Sequence, residues 1–178
     1  VARVLRALAE GGRDAVYLGE YGDELLAVGT GEFSDDDLRR PQADWVEPLG
    51  SRVWGHDVWT VPPNSQGYLT LASALIAEGL DLPREDDPLR VHLLIEAMRQ
   101  AGHDRPGVLH EHADGATLLA PERLGPRRNA IDPDRRAVLG DVWHDGDTMY
   151  ECVVDGDGMA VSLIQSNADG FGSHVTLP

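Results

Sequence analysis

Apolar positions recur along the chain with two periods, about 3.6 and about 2 residues, and the changes between them divide it into segments. Within Ala2 to Leu18 the apolar side chains are Val4, Leu5, Leu8, Ala15, Val16 and Leu18, and Gly11-Gly12 interrupts them, which predicts a short helix, a break and a second short helix. Asp23 to Val28 repeats the helical character before the loop Gly29-Thr30-Gly31, and Ser34-Asp35-Asp36-Asp37-Leu38 reads as a helix start, its carboxylates meeting the positive end of the dipole. From Asp44 to Val61 the pattern turns strand-like, in Trp45-Val46-Glu47-Pro48-Leu49 and then Val53 to Val61. Three of the four Trp lie there, so a core-facing strand pair is expected, with an aromatic binding platform as the alternative. After Pro62-Pro63-Asn64-Ser65, Gln66 to Gly79 reads as a buried helix and Pro88 to Gly102 as another. Arg105 to Arg128 reads as turn-rich, and Asp132-Pro133-Asp134-Arg135-Arg136 can cap a last short helix. Thr148 to Val154 and Met159 to Ser166 flank Asp155-Gly156-Asp157-Gly158, the strongest hairpin signal in the chain.

Composition narrows the partners. The 178 residues carry 31 acids against 15 bases, a net charge of −16, and every base is Arg. Such a field repels nucleic acid and anionic membrane surfaces, so neither is an expected partner. The longest uncharged apolar run, Tyr68 to Ala77, is far short of the ~20 residues of a membrane span, and a soluble chain is expected, cytoplasmic or exported. The chain opens Val1-Ala2-Arg3 without an initiator Met and closes Val175-Thr176-Leu177-Pro178 straight after a strand-like segment, so it is expected to be a fragment.

Local motifs yield little chemistry by themselves. His110-Glu111-His112 sets three potential ligands in a row, yet neighbours on an extended chain point to opposite sides and no HExxH or Cys/His quartet occurs, so no metal is expected. The acidic triplet at 35–37 is accounted for by a solvated first helical turn, with a cation site as the alternative. Asp155-Gly156-Asp157-Gly158 lacks the closing Glu of a calcium loop, and a turn explains it better. Cys152, in mid-strand without a basic neighbour, is expected to be a buried small hydrophobe. Phosphate loops, dinucleotide fingerprints and serine-nucleophile elbows are absent from the sequence, and no cofactor is expected.

One stretch is more specific. Gly146-Asp147-Thr148, Val153-Val154-Asp155-Gly156-Asp157-Gly158-Met159-Ala160-Val161-Ser162 and Phe171-Gly172-Ser173 follow one another in the order G-D-T, V-V-D-x-D-G-x-A-V-S, F-G-S. In this the chain resembles the γ-glutamyltransferase (γ-glutamyl transpeptidase) family of N-terminal-nucleophile hydrolases. Upstream blocks agree, at 9–20, Trp45-Val46-Glu47-Pro48-Leu49, Pro62-Pro63-Asn64-Ser65-Gln66-Gly67, His92-Leu93-Leu94-Ile95-Glu96-Ala97 and Asp104-Arg105.

The resemblance implies an inactive precursor in which Thr148 attacks the carbonyl of Asp147, cleaves the chain and becomes the new N-terminus. A freed α-amine, with an ordinary pKa of about 7.7 to 8.0, is then the base that a weak Thr nucleophile requires. Ser166 falls where the family has a supporting hydroxyl. By the same resemblance the fold is α+β: a mainly helical region from Val1 to about Val142, threaded by the Trp-rich strands, joined to a hairpin that opens an αββα sandwich. Residues 1–147 would be the end of the large subunit and 148–178 the start of the small one. The implied substrates are small γ-glutamyl compounds such as glutathione, with water or an amino acid or peptide as acceptor, and the implied partner is the remainder of the same polypeptide.

By resemblance the family's carboxylate-binding Arg lies before residue 1, and its amine-gripping acid and its oxyanion Gly and Ser pairs lie after residue 178, so this piece alone is expected to be inactive. Met149, Met159 and His174 depart from the frequent Thr, Asn and Gly without removing the nucleophile. Ala168 stands where well-studied members have a substrate-touching Asn. That departure keeps two alternatives open: a related amide acylase, for example of glutaryl cephalosporins, and a non-catalytic homologue or fragment.

Overall fold

A computed structural model describes residues 1–29, 31–41, 43–140 and 148–166. In chain order the elements are helices α1 Ala2–Tyr17, α2 Glu20–Val28 and α3 Asp35–Arg39, strands β1 Leu49–Val53 and β2 His56–Thr60, helices α4 Tyr68–Glu78, α5 Pro88–Gly102, α6 Arg105–Val108, α7 Gly115–Leu119 and α8 Pro121–Asn129, and strands β3 Met149–Val154 and β4 Ala160–Gln165. The chain is thus mixed helix and strand, with two antiparallel two-stranded sheets among the described residues. It divides into two compact units, Trp45–His144 and a second one formed by Val1–Asp44 with Asp145–Pro178.

The unit 45–144 is organised around α4. Tyr68, Ala72, Ile76 and Ala77 of α4 form one cluster with Ala97 and Ala101 of α5, Leu118 of α7 and Leu124 of α8. The small alanines let the α4 and α5 backbones approach closely, while Ile76 and the leucines fill the remaining volume. Helix α5 starts where the sequence places it: Asp87 Oδ1 accepts the Leu89 N–H at 2.9 Å and Pro88 stands at the first turn, where its missing N–H costs nothing.

Three readings of this region are corrected. Arg105 to Arg128 is not merely turn-rich but carries α6, α7 and α8. Pro106 and Pro121 sit in first turns, where they start helices rather than break them, and Asp114 caps α7 by accepting from Ala116 N and Thr117 N at 3.1 and 3.2 Å. Residues 132–136 cap no helix: Asp132 Oδ1 accepts from Asp134 N at 2.8 Å, and Asp132 and Arg135 form an isolated bridge. The third concerns the Trp-rich stretch. Residues 45–48 form no strand, and Val53 to Val61 is no single strand, because Trp54 and Gly55, with φ 47° and 78°, make a two-residue hairpin turn between β1 and β2. Nor do the Trp side chains face the core: Trp54 and Trp59 are exposed and Trp45 fully so. Trp59 lies over Gly50, on the ribbon face opposite to Leu49, and it is Leu49 that packs against the α4 cluster.

In the other unit, Gly12 takes φ 66° and breaks α1 in two, as the sequence predicts. Ser34 and Asp37 form a reciprocal capping box on α3, and the hydrogen bonds from Ser34 hold the Asp37 carboxyl below its ordinary value. At the other end of α3, Arg13 Nη2 donates to Leu38 O and Arg40 O at 2.6 and 2.7 Å, placing a cation on the negative end of the helix.

Candidate active site

Strands β3 and β4 are rich in β-branched and apolar residues, and Asp155 closes the turn between them. Its Oδ1 accepts the N–H of Asp157 at 3.0 Å and of Met159 at 2.9 Å, and Gly158 takes the positive φ of 85° that the turn demands. Register runs from Val154↔Ala160 down to Met149↔Gln165. The next opposed pair after Met149↔Gln165 is Thr148 and Ser166, at the open end of the ribbon. Thr148 Oγ1 donates to Ser166 Oγ at 3.1 Å. The two hydroxyls singled out in the sequence are therefore brought together, by residue positions equidistant from the turn.

Directly opposed residues share a face, so Thr148, Tyr150, Cys152 and Val154 lie on one side with Ser166, Ile164, Ser162 and Ala160. Ser162 Oγ donates to the Tyr150 hydroxyl at 3.3 Å, which puts a second hydroxyl pair on the face that carries Thr148. No motif marks this pair, and hairpin register is the signal in the sequence that could have found it. Cys152 is exposed, which corrects its reading as a buried hydrophobe: a two-stranded ribbon has no interior. The described side chains from Thr148 to Ile164, and that of Ser166, are all solvent-exposed. Asp147, the other residue of the expected cleavage site, lies outside the described residues, as do Ala168, His174 and the Phe171-Gly172-Ser173 run.

A second group of charged side chains gathers in the unit 45–144. Asp104 accepts from Arg123 Nη2 at 2.9 Å and from Arg127 Nη2 at 2.5 Å, and Arg127 Nη1 also reaches Gln100 O at 2.6 Å. Burial acts to raise the Asp104 carboxyl, but the two guanidiniums outweigh it and hold it below its ordinary 3.8. Arg123 also lies 6.0 Å from the ring of Tyr68. Burial pushes that phenol above its ordinary 10.0, and its hydroxyl finds no hydrogen-bond partner among the described residues. These contacts tie α8 to the end of α5 and carry no nucleophile. At 110–112, the His112 N–H donates to His110 Nδ1 at 3.2 Å, and among the described residues no group of three His, Cys, Asp or Glu is arranged to hold a metal ion. Among the same residues no helix is long and apolar enough to cross a membrane.

The γ-glutamyltranspeptidase family model matches residues 1–178. The oxamate amidohydrolase proenzyme of Klebsiella pneumoniae is 33% identical over 100% of this chain and 35% of its own length. A glutathione hydrolase-like proenzyme of Bacillus subtilis is 33% identical over 99% of the chain and 35% of its own length. Among solved structures, a cephalosporin acylase from Bacillus halodurans superposes with a TM-score of 0.77 at 33% identity, covering 99% of this chain and 34% of that one. The chain therefore spans about a third of the length of the curated relatives it matches. With the match running from end to end, the chain belongs to the γ-glutamyltranspeptidase family.

Proposed function

We propose that Thr148 is the nucleophile of a self-processing amide hydrolase and acyltransferase acting on γ-glutamyl compounds. The observation that carries this reading is the hydrogen bond from Thr148 Oγ1 to Ser166 Oγ, at the head of a strand. Donating that bond enriches the Thr148 oxygen in electron density, and the ribbon fixes its direction.

In the precursor, Thr148 Oγ adds to the Asp147 carbonyl carbon. The Asp147–Thr148 C–N bond breaks, the hydroxyl proton passes to the departing nitrogen, and an ester forms. Water then hydrolyses the ester, leaving Asp147 with a carboxylate and Thr148 with a free α-amine. In the mature enzyme that amine takes the Oγ proton as the oxygen attacks the γ-glutamyl amide and returns it to the leaving amine. Water or an amino acid then releases the acyl group from Thr148. On this reading residues 1–147 end the large subunit and 148–178 begin the small one. Apolar residues on both hairpin faces, Tyr150, Val154 and Ile164 on one and Met149, Val153 and Leu163 on the other, support a central strand pair of an αββα sandwich, covered on both sides.

A second reading, hydrolysis of a different acyl amide, is favoured by Ala168 and by relatives named for oxamate and cephalosporin. Turnover of γ-glutamyl and glutaryl anilides and ammonia release from oxamate separate the two. The governing test is the mass and N-terminal sequence of the full-length polypeptide after incubation at neutral pH. A new terminus Thr148-Met149-Tyr150 is expected, and Thr148→Ala should stay uncut and inactive. A variant that still cuts or turns over overturns the reading. Ser166→Ala should slow both steps by about tenfold, and Ser166→Thr should restore them.

A further inference from the structure

On the hairpin face that carries Thr148, the first opposed pair inward from Thr148 and Ser166 is Tyr150 and Ile164. A two-residue step along a strand is about 7 Å, so these side chains begin within the length of a short acyl chain on the Thr148 hydroxyl. Both are more than half exposed. Ile164 offers only carbon, and Tyr150 offers the flat face of its ring. That ring is tied in one direction, because its hydroxyl accepts from Ser162 Oγ at 3.3 Å and Ser162 is opposed to Cys152, one pair nearer the turn. Tyr150 therefore leans away from Thr148 and leaves the ribbon surface beside it clear. Any layer that covers this face must stop short of Thr148 for an amide to reach the hydroxyl, which puts Tyr150 and Ile164 at the edge of that opening.

We propose that Tyr150 and Ile164 form the apolar floor on which the acyl group rests when it is attached to Thr148, and that they select acyl groups with methylenes next to the carbonyl. This deepens the function proposed above and rests on Thr148 as the nucleophile. A γ-glutamyl group carries two such methylenes and a glutaryl group three, whereas the oxalyl group of oxamate carries none. Each methylene taken fully out of water is worth about fourfold in binding, and a floor, which covers one side of the chain, about twofold. Ser162 is then a positioning residue that acts through the Tyr150 ring.

The test uses the full-length polypeptide after self-cleavage and follows kcat and KM for γ-glutamyl anilide, glutaryl anilide and oxamate. Tyr150→Ala removes the ring half of the floor. The kcat/KM ratio of glutaryl anilide to oxamate should fall about threefold and that of γ-glutamyl anilide to oxamate about twofold, both through KM, because the floor binds ground state and transition state alike. Ser162→Ala frees the ring and should lower the same ratios by less, and Ser162→Thr should restore them; Ser162→Ala serves if Tyr150→Ala does not fold. A merely structural role would move all three substrates together, so unchanged ratios in these variants overturn the floor, as does a self-cleaved native enzyme that turns over oxamate alone. A native polypeptide that never cuts overturns both the floor and the function on which it rests.

Discussion

Leu71 and Ile76 of α4 have no exposed surface, whereas Val153, Leu163 and Ile164 of the β3–β4 hairpin, no less apolar, are at least half exposed. The difference lies in layers. Helix α4 is covered by α5, α7, α8 and β1, so its apolar residues leave water within residues 45–140. A two-stranded ribbon has two faces to cover, and by itself it is marginal in water. The candidate nucleophile stands on the element that needs further layers, whereas the packed core lies in the unit 45–144.

The largest expected effect tests that contrast directly. Ile76→Ala should destabilise the chain by about 2 to 5 kcal/mol, because it opens a cavity among Ala97, Ala101 and Leu118 that rigid neighbours fill poorly. Val153→Ala should change the same denaturation midpoint by less than about 0.5 kcal/mol in this chain. In the full-length polypeptide, where the proposed sandwich covers the ribbon, Val153→Ala should become a core substitution and cost about 1 kcal/mol or more. Equal, small effects of Val153→Ala in both contexts would break the comparison and the sandwich with it.

Which parts are legible in the sequence follows the same division. Helix α5 can be read to the residue because Asp87-Pro88 marks its start and its apolar stripe is long; the hairpin can be read because Asp155-Gly156-Asp157-Gly158 allows little else. Helices α6 to α8 are hidden because each is short and each contains Pro or Gly, so only tertiary packing selects helix there. Trp54 misleads because a bulky residue at positive φ is uncommon, and its N–H is held by Glu78, 24 positions on, at 2.6 Å. Thr148 is locally an ordinary strand-opening Thr, and only the ordered family blocks single it out. Its pairing with Ser166 is available from hairpin register. The pairing of Glu96 and Arg99, which bond the N–H and the carbonyl of Ala137, leaves a fainter signal, the spacing of His92, Glu96 and Arg99 on one helix face.

A smaller effect sharpens the comparison from the electrostatic side. Asp104 joins α5's end to α8 through Arg123 and Arg127, and those guanidiniums hold its carboxyl below 3.8 despite the opposing effect of burial. A depressed folded pKa means that the ionised group contributes stability above its unfolded value, and that this is lost as pH falls through the folded value. The acid limb of stability below pH 3.8 should therefore be steeper in the native chain than in Asp104→Asn, which has no carboxylate to protonate. Asp104→Asn should be less stable at neutral pH, by less than Ile76→Ala, because one oxygen still accepts while the NH2 group in place of the other faces a guanidinium as a donor and the negative charge is gone. The two stability curves should converge on acidification, as protonation removes from the native chain what the substitution has already removed. Denaturant midpoints from pH 7 down to the acid limb measure this, and a gap that stays constant would show that Asp104 acts through shape rather than charge.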